Sequence, residues 1–317
     1  MSNQAGERNK LPIHPATRMG IVSLSVSRLE RSLAFYREIL GLGLMQREGD
    51  TALLGVDQPL LLLTEAPEAR PRQINAAGLY HVAFLVPGRA DLACFLRHLL
   101  DAGYPLREAS DHIISEALYL ADPDGNGIEV YRDRPRGAWP WQNGRLHATN
   151  SSDPLDMESL LAELQGNNQA WSGMPPGTSI GHVHLQAVDL ERAAVFYRDV
   201  LGFEETITGI AGAYFMAAGG YHHHLALNTW NSLGGSVGPQ PLPGGIGLRF
   251  FTICLPDEEE VRRLAGRLEA ADVAFRHISN PDALILRDRE GNGLLLVAGL
   301  FSNQKEVISL AKLFIEP

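Results

Sequence analysis

Arg28-Leu29-Glu30-Arg31-Ser32-Leu33-Ala34-Phe35-Tyr36-Arg37-Glu38-Ile39-Leu40-Gly41-Leu42 returns in the second half of the chain as Asp189-Leu190-Glu191-Arg192-Ala193-Ala194-Val195-Phe196-Tyr197-Arg198-Asp199-Val200-Leu201-Gly202-Phe203. Each copy predicts an amphipathic helix, Leu29 to Leu40 in the first, closed by a glycine that enters the left-handed conformation without a Cβ penalty. A second pair of stretches behaves alike. Asp122-Pro123-Asp124-Gly125-Asn126-Gly127 and Asp288-Arg289-Glu290-Gly291-Asn292-Gly293 share an Asp-x-x-Gly-Asn-Gly core. Two near-equal halves with the same signals in the same order are what duplication of a domain leaves behind.

Around each helix the pattern is a short apolar strand before it, Ile21 to Val26 in the first case, and several short strands after it, separated by Gly, Asp and Pro. Such strand-helix-three-strand units begin near residues 20, 79, 180 and 247. They predict an α+β chain of four βαβββ modules, the first two in residues 18–135 and the last two in 179–300. Residues 136–178 turn rich in Pro, Gly, Trp, Asn and Ser and read as an ordered linker with one helical stretch near Leu155 to Leu164. Residues 301–317 read as a terminal helix packed on the second half.

The chain has 317 residues, 45% of them hydrophobic, enough for two sizeable cores. A formal charge of −10 with no basic run argues against nucleic acid or an anionic membrane as partner. No apolar run reaches membrane-spanning length, and Met1 to Thr17 lacks the apolar core of a secretory signal. Both cysteines, Cys94 and Cys254, lie in apolar runs and are expected as buried, reduced thiols, which suits a cytoplasmic protein.

Three separated stretches place metal-ligating side chains on predicted strands: His81 in Leu79-Tyr80-His81-Val82-Ala83-Phe84, Glu129 after the first Gly-Asn-Gly, and His182 in Gly181-His182-Val183-His184-Leu185. Two histidines and one carboxylate form the ligand set of non-haem Fe(II) oxygen chemistry, with open positions left for substrate and O2. Singly, each histidine could instead be satisfied by a backbone carbonyl. Glu129 could be an exposed charge on a strand face, but its counterpart in the other Gly-Asn-Gly segment is Leu295, so the position points inward, where an unpaired carboxylate is costly.

The four modules resemble the vicinal oxygen chelate superfamily, on His-Val-x-Leu in a first strand, Phe-Tyr-Arg-x-x-Leu-Gly at the helix end and Asp-Pro-Asp-Gly-Asn-Gly-Ile-Glu at a last strand. The resemblance covers most of the chain outside the linker and the two ends, and it implies two half-barrel, glyoxalase-like domains. Within the superfamily the extradiol ring-cleaving (catechol 2,3-type) dioxygenases look most similar. There, one histidine from each first strand of two paired modules and a glutamate from a last strand hold the metal.

Taken module by module, the first-strand slot holds Ile21, His81, His182 and Phe250. The last-strand slot holds an apolar residue near Leu61, then Glu129, then a histidine of His222-His223-His224, then Leu295. Only modules two and three are polar, so a metal held by His81, Glu129 and His182 requires module two to pair with three and one with four. The histidine triplet has two registers. Placing Gly219-Gly220 on Asn126-Gly127 puts His222 in the glutamate slot, and aligning Leu225-Ala226-Leu227 with the dioxygenase pattern selects His223. The resemblance implies that this histidine is an acid/base near the O2 position. It further implies that Tyr119, ten residues before Glu129, steadies the substrate and that His112 lies near the pocket mouth. Trp139, Trp141 and Trp171 of the linker are candidate caps on the pocket.

The expected activity is Fe(II)-dependent extradiol cleavage of a catechol-type diol, with O2 as second substrate. The alternatives are a glyoxalase-like isomerase or lyase using Mn(II), Zn(II) or Ni(II), and a metal-free protein that sequesters a small aromatic molecule. Ring substituents and the native metal are not legible, and a homo-oligomer is compatible with the fold.

Overall fold

The computed structural model describes residues 11–71, 75–147, 153–166, 171–231, 245–301 and 304–314, so parts of the linker and of the C-terminal segment lie outside the described residues. Module one is β1 (Arg18–Val26), α1 (Leu29–Ala34), β2 (Gly43–Glu48), β3 (Thr51–Gly55) and β4 (Pro59–Glu65). Module two is β5 (Gly78–Leu85), α2 (Arg89–Asp101), β6 (Glu108–Asp111), β7 (Ser115–Ala121) and β8 (Gly127–Asp133). The linker adds β9 (Trp141–Gln142), β10 (Arg145–Leu146), β11 (Asp153–Pro154) and α3 (Met157–Ala162). Module three is β12 (Ser179–Gln186), α4 (Leu190–Val195), β13 (Glu204–Ile207), β14 (Ala213–Ala217) and β15 (Leu225–Asn228). Module four is β16 (Gly247–Leu255), α5 (Glu258–Ala270), β17 (Phe275–Ser279), β18 (Asp282–Arg287) and β19 (Gly293–Ala298), followed by α6 (Gln304–Lys312).

Apolar spacing explains the longer helices. Leu92, Ala93, Phe95, Leu96 and Leu99 line the buried stripe of α2, and Val261, Leu264 and Leu268 that of α5. Asp257 and Asp189 cap α5 and α4 by accepting from Glu260 N and Arg192 N. The repeated helix is not α-helical to its end: Phe35–Ile39 and Phe196–Leu201 wind as π turns, in which Leu40 N reaches Phe35 O and Gly202 N reaches Tyr197 O. Gly41 (φ +84°) and Gly202 (φ +93°) then reverse the chain as expected.

The strands form two sheets that do not follow the sequence halves. An eight-stranded sheet runs β17-β18-β19-β16-β1-β4-β3-β2, and an eleven-stranded sheet runs β11-β6-β7-β8-β5-β12-β15-β14-β13-β10-β9. The first joins modules one and four through antiparallel β1 and β16, and the second joins two and three through antiparallel β5 and β12. This is the crossed pairing that the polar slots require. The two repeated motifs bind one another and so tie the sheets together. The Tyr36 hydroxyl donates to Asp122 Oδ2 (2.9 Å) and the Tyr197 hydroxyl to Asp288 Oδ2 (2.6 Å), while Oδ1 of each aspartate accepts from the backbone of its own Gly-Asn-Gly turn.

In the eight-stranded sheet the ligand slots are filled with hydrocarbon. Ile21, Leu62, Phe250 and Leu295 form one buried cluster with Val307, Ile308 and Leu310 of α6, and Phe314 stacks on Phe250 with ring centroids 4.3 Å apart. The terminal helix therefore plugs the concave face that modules one and four share. It is not packed on the second half alone, since Lys312 reaches Glu48 of β2 (3.6 Å). Cys254 is buried, which pushes its thiol up to about 12, whereas Cys94 is only half-buried, on the rim of the stripe of α2.

Candidate metal centre

Strand alternation brings three side chains to one point in the eleven-stranded sheet. His81 on β5 lies opposite Gly127 of the parallel neighbour β8, and Glu129, two residues on, faces the same side. On the other flank β5 pairs with β12, and a bulge between Ile180 and His182 brings His182 opposite Ala83. Gly127 is required by this approach, because a Cβ there would lie 2.1 Å from Tyr80 O and 3.0 Å from the His81 Cβ. Gly293 makes the same approach to Phe250 in the apolar sheet, so the last glycine of each Gly-Asn-Gly serves strand contact.

His81, Glu129 and His182 are all buried. Glu129 Oε2 lies 2.9 Å from His182 Nε2 and 3.0 Å from His81 Nε2, and the two imidazole nitrogens are 3.3 Å apart. For ligand bonds of about 2.1 Å, a right-angled face of an octahedron has edges of about 3.0 Å and a tetrahedron edges of about 3.4 Å. The edges of the triangle fall within this range, so the three atoms are spaced as ligands of a single ion, and it is the one such group of three among the described residues. Burial holds His81 below its ordinary pKa despite the Glu129 carboxylate. For Glu129, burial is outweighed by the His182 charge and by hydrogen bonds from His182 and His81, and the carboxyl lies well below the usual range. A neutral imidazole and an ionised carboxylate are the states a metal needs.

The triangle sits in a cavity of about 800 Å³ whose apolar wall includes Ile114, Leu120, Ile207, Phe215 and Trp230. Tyr119, cross-strand from Glu129, points into it. Burial and the Glu129 charge raise the Tyr119 pKa well above its ordinary value, so the group is a phenol, and its hydroxyl lies 2.9 Å from His112 Nε2. His112 also lines the cavity, at the β6–β7 turn. His223 faces the cavity, its ring centroid 4.1 Å from that of His182, and burial followed by its histidine neighbours holds it well below its ordinary pKa.

Several expectations for the site need correction. His222 does not reach the cavity: its Nε2 lies 2.8 Å from Asp133 Oδ1 and its Nδ1 lies 2.7 Å from His223 Nδ1. His224 also points elsewhere, with its Nδ1 accepting from Ala218 N. The triplet occupies the bend before β15, after Gly219 and Gly220 both turn left-handed, so strand alternation does not govern it; of the two residues that the registers select, His223 lines the cavity and His222 does not. The residue opposite His184, in the position that Glu129 takes opposite Ala83, is Ala226. The linker tryptophans do not cap the cavity. Trp139 packs on Tyr221 and His222, Trp171 stacks on His98, and Trp141 is exposed.

The cavity is bordered instead by Trp230, just after β15, and by a further histidine, His184. His184 is buried among Tyr80, His81 and Trp230, and its Nε2 meets the Asn228 amide at 2.9 Å. It stands two residues beyond His182 on the same strand, so the period-two rule was enough to place both on one face.

Residues 18–130 and 179–293 each match the profile of the Glyoxalase/Bleomycin resistance protein/Dioxygenase superfamily. A catechol-2,3-dioxygenase of Bacillus subtilis (strain 168) is 40% identical over 275 residues, 84% of this chain and 93% of that protein. A solved structure from Bacillus subtilis subsp. subtilis str. 168 has a TM-score of 0.61 at 11% identity, over 97% of this chain and 98% of that one. A variant of glyoxalase I from Zea mays has a TM-score of 0.54 at 14% identity, over 93% and 95%. At such identities the structures speak for the fold alone, and none of the described helices is long and apolar enough to cross a membrane. With its two profile matches falling on the two sequence halves and a 40% identical relative covered almost end to end, the chain belongs to the Glyoxalase/Bleomycin resistance protein/Dioxygenase superfamily.

Proposed function

We propose that this protein is an Fe(II)-dependent extradiol dioxygenase that cleaves a catechol-type aromatic diol with O2. The observation that carries the reading is the triangle of His81, Glu129 and His182, with edges of 2.9–3.3 Å, at the wall of a cavity large enough for a substituted ring. Fe(II) held there supplies a Lewis acid for the two vicinal oxygens and one-electron chemistry with O2. The 40% identity to a catechol-2,3-dioxygenase supports the same substrate class.

The chain's own groups divide the remaining work. Ile114, Leu120, Ile207 and Phe215 take the flat apolar ring and exclude water. The Tyr119 phenol, steadied by His112, donates to a substrate oxygen, and His223, beside His182, holds or moves a proton. Glu129 keeps its negative charge and offsets that of the cation. Ala226 in the last-strand slot of module three provides no fourth ligand, which weighs against a glyoxalase-like isomerase. Two free thiols suit a reducing cytoplasm, where such a centre would stay ferrous.

Anaerobic loading with Fe(II), followed by aerated catechol, tests the reading through the yellow ring-opened semialdehyde and oxygen uptake. One O2 consumed per diol supports it. Stoichiometric metal with no turnover of a panel of 3- and 4-substituted catechols refutes it.

A further inference from the structure

Behind His223 runs a line of polar groups that neither the metal nor the substrate uses. His222 is fully buried against Trp139 and Tyr221, and the Arg136 guanidinium lies over both of those rings, 5.6 and 5.4 Å from their centroids. Its Nε2 is 2.8 Å from Asp133 Oδ1 at the end of β8, and its Nδ1 is 2.7 Å from His223 Nδ1. The Asp133 carboxylate also accepts from the Tyr221 hydroxyl, which lies 2.7 Å from the hydroxyl of buried Tyr131. Tyr131 in turn owes its place to Gly181, where a Cβ would collide with the phenol oxygen.

The direction of each hydrogen bond follows from what each group can do. A carboxylate only accepts, so Asp133 takes the hydrogen of His222 Nε2. With the ring's hydrogen on Nε2, His222 Nδ1 is an acceptor, and the short contact to His223 Nδ1 is satisfied when His223 carries its hydrogen on that nitrogen. This leaves a bare lone pair on His223 Nε2, at the other edge of the ring that faces the cavity. We propose that Asp133 and His222 are positioning residues that lock the tautomer of His223, so that it meets a substrate hydroxyl as a hydrogen-bond acceptor. The donor Tyr119 and the acceptor His223 then face the substrate with opposite polarity, and the site selects a ligand with a hydroxyl group on the His223 side. The substrate part of this inference rests on the dioxygenase reading, and the tautomer part does not.

The variant Asp133→Asn should reverse the whole line. Tyr221 holds the amide oxygen, the amide NH2 turns to His222 Nε2, His222 Nδ1 becomes the donor, and His223 presents Nε2–H to the cavity. Histidine-15N-labelled protein loaded with Zn(II), a diamagnetic probe, reports each tautomer by long-range 1H–15N correlation, with His222 and His223 assigned from single His→Gln variants. The expected result is Nδ1–H on His223 in the wild type and Nε2–H in Asp133→Asn. With Fe(II), kcat for a diol should fall roughly 10²-fold or more in Asp133→Asn, with metal affinity unchanged and recovery to within tenfold in Asp133→Glu. Nε2–H on wild-type His223, or an unchanged tautomer in Asp133→Asn, overturns the lock, and the wild-type spectrum decides even if the variant fails to fold. Nδ1–H on His223 in a wild-type protein that cleaves no diol supports the lock while removing the dioxygenase reading.

Discussion

The substitution His182→Ala asks whether the metal is held between the two halves of the chain, because His81 and Glu129 both come from module two and His182 from module three. Without the imidazole, Glu129 Oε2 loses its 2.9 Å neighbour, and one corner of the ligand triangle disappears. Four-ligand zinc peptides bind with about 10–16 kcal/mol, or about 3 kcal/mol per ligand, so losing one of three ligands should weaken binding roughly 10²-fold. Water can fill the vacated corner, so stoichiometric binding at high metal should survive while affinity falls. Anaerobic competition against a chelating dye measures the Fe(II) Kd. The visible bands of the Co(II)-loaded protein report the ligand field, and far-ultraviolet circular dichroism checks that the sheet is intact. A folded His182→Ala protein that binds Fe(II) within twofold of the wild-type Kd would refute the inter-half site, and with it the argument from the slots.

Tyr119→Phe removes the phenol that faces the cavity and leaves His112 without that partner. A hydrogen bond to a charged group contributes about 1.5–3 kcal/mol, so kcat/KM should fall roughly 10- to 100-fold with metal content unchanged, read by oxygen uptake. Glu116→Gln disturbs a buried carboxylate that holds Arg89, Arg132 and Arg134, and through Arg89 the linker residues Ser159 and Glu163. Breaking a buried pair costs about 3–5 kcal/mol, and with the guanidinium groups partly exposed a loss of about 2 kcal/mol is expected in urea unfolding, with the largest gain in hydrogen exchange along α3. His224 is buried with its pKa lowered to about 3, so the folded state binds fewer protons than the unfolded one between about pH 6.5 and 3. That contribution is complete above pH 6.5 and is lost as pH falls, by about 2 kcal/mol at pH 5. Urea melts of metal-free wild type and His224→Asn should therefore converge as pH drops from 7.5 to 5, and parallel curves would refute the assignment.

What was legible in the sequence is what alternation and chirality impose locally. The starts of all four modules fall where apolar runs meet Gly, Asp or Pro, and the left-handed glycines stand at Gly41 and Gly202 because L-residues avoid that conformation. The crossed sheet pairing was legible for an energetic reason: Ile21 and Phe250 cannot ligate, whereas His81 and His182 in matching slots can. The histidine triplet was not legible, because alternation holds only in a strand and the triplet lies in the bend before one. His184 was within reach of the same rule that located His182. Trp230 and Phe215 border the cavity through tertiary packing, and no local pattern separates them from core aromatics or from the linker tryptophans, which pack elsewhere. Likewise, nothing in Asp133 marks it as a partner of His222, 89 residues away.

The two sheets serve as an internal control on the polar centre. They share the module, the glycine approach of the first and last strands and the tyrosine–aspartate tie, yet one concave face is closed with Ile21, Leu62, Phe250, Leu295 and α6 while the other holds a carboxylate and imidazoles around an open cavity. Stability alone favours the first arrangement. Hydrocarbon filling gains about 25 cal/mol for each Å² of apolar surface removed from water, whereas a buried carboxylate costs several kcal/mol unless a cation and hydrogen bonds compensate. The apolar sheet shows that the fold has no structural need of His81, Glu129 or His182. The proposed metal site accounts for their presence in the paired modules, because a bound cation would offset the cost that the rest of the scaffold would otherwise carry.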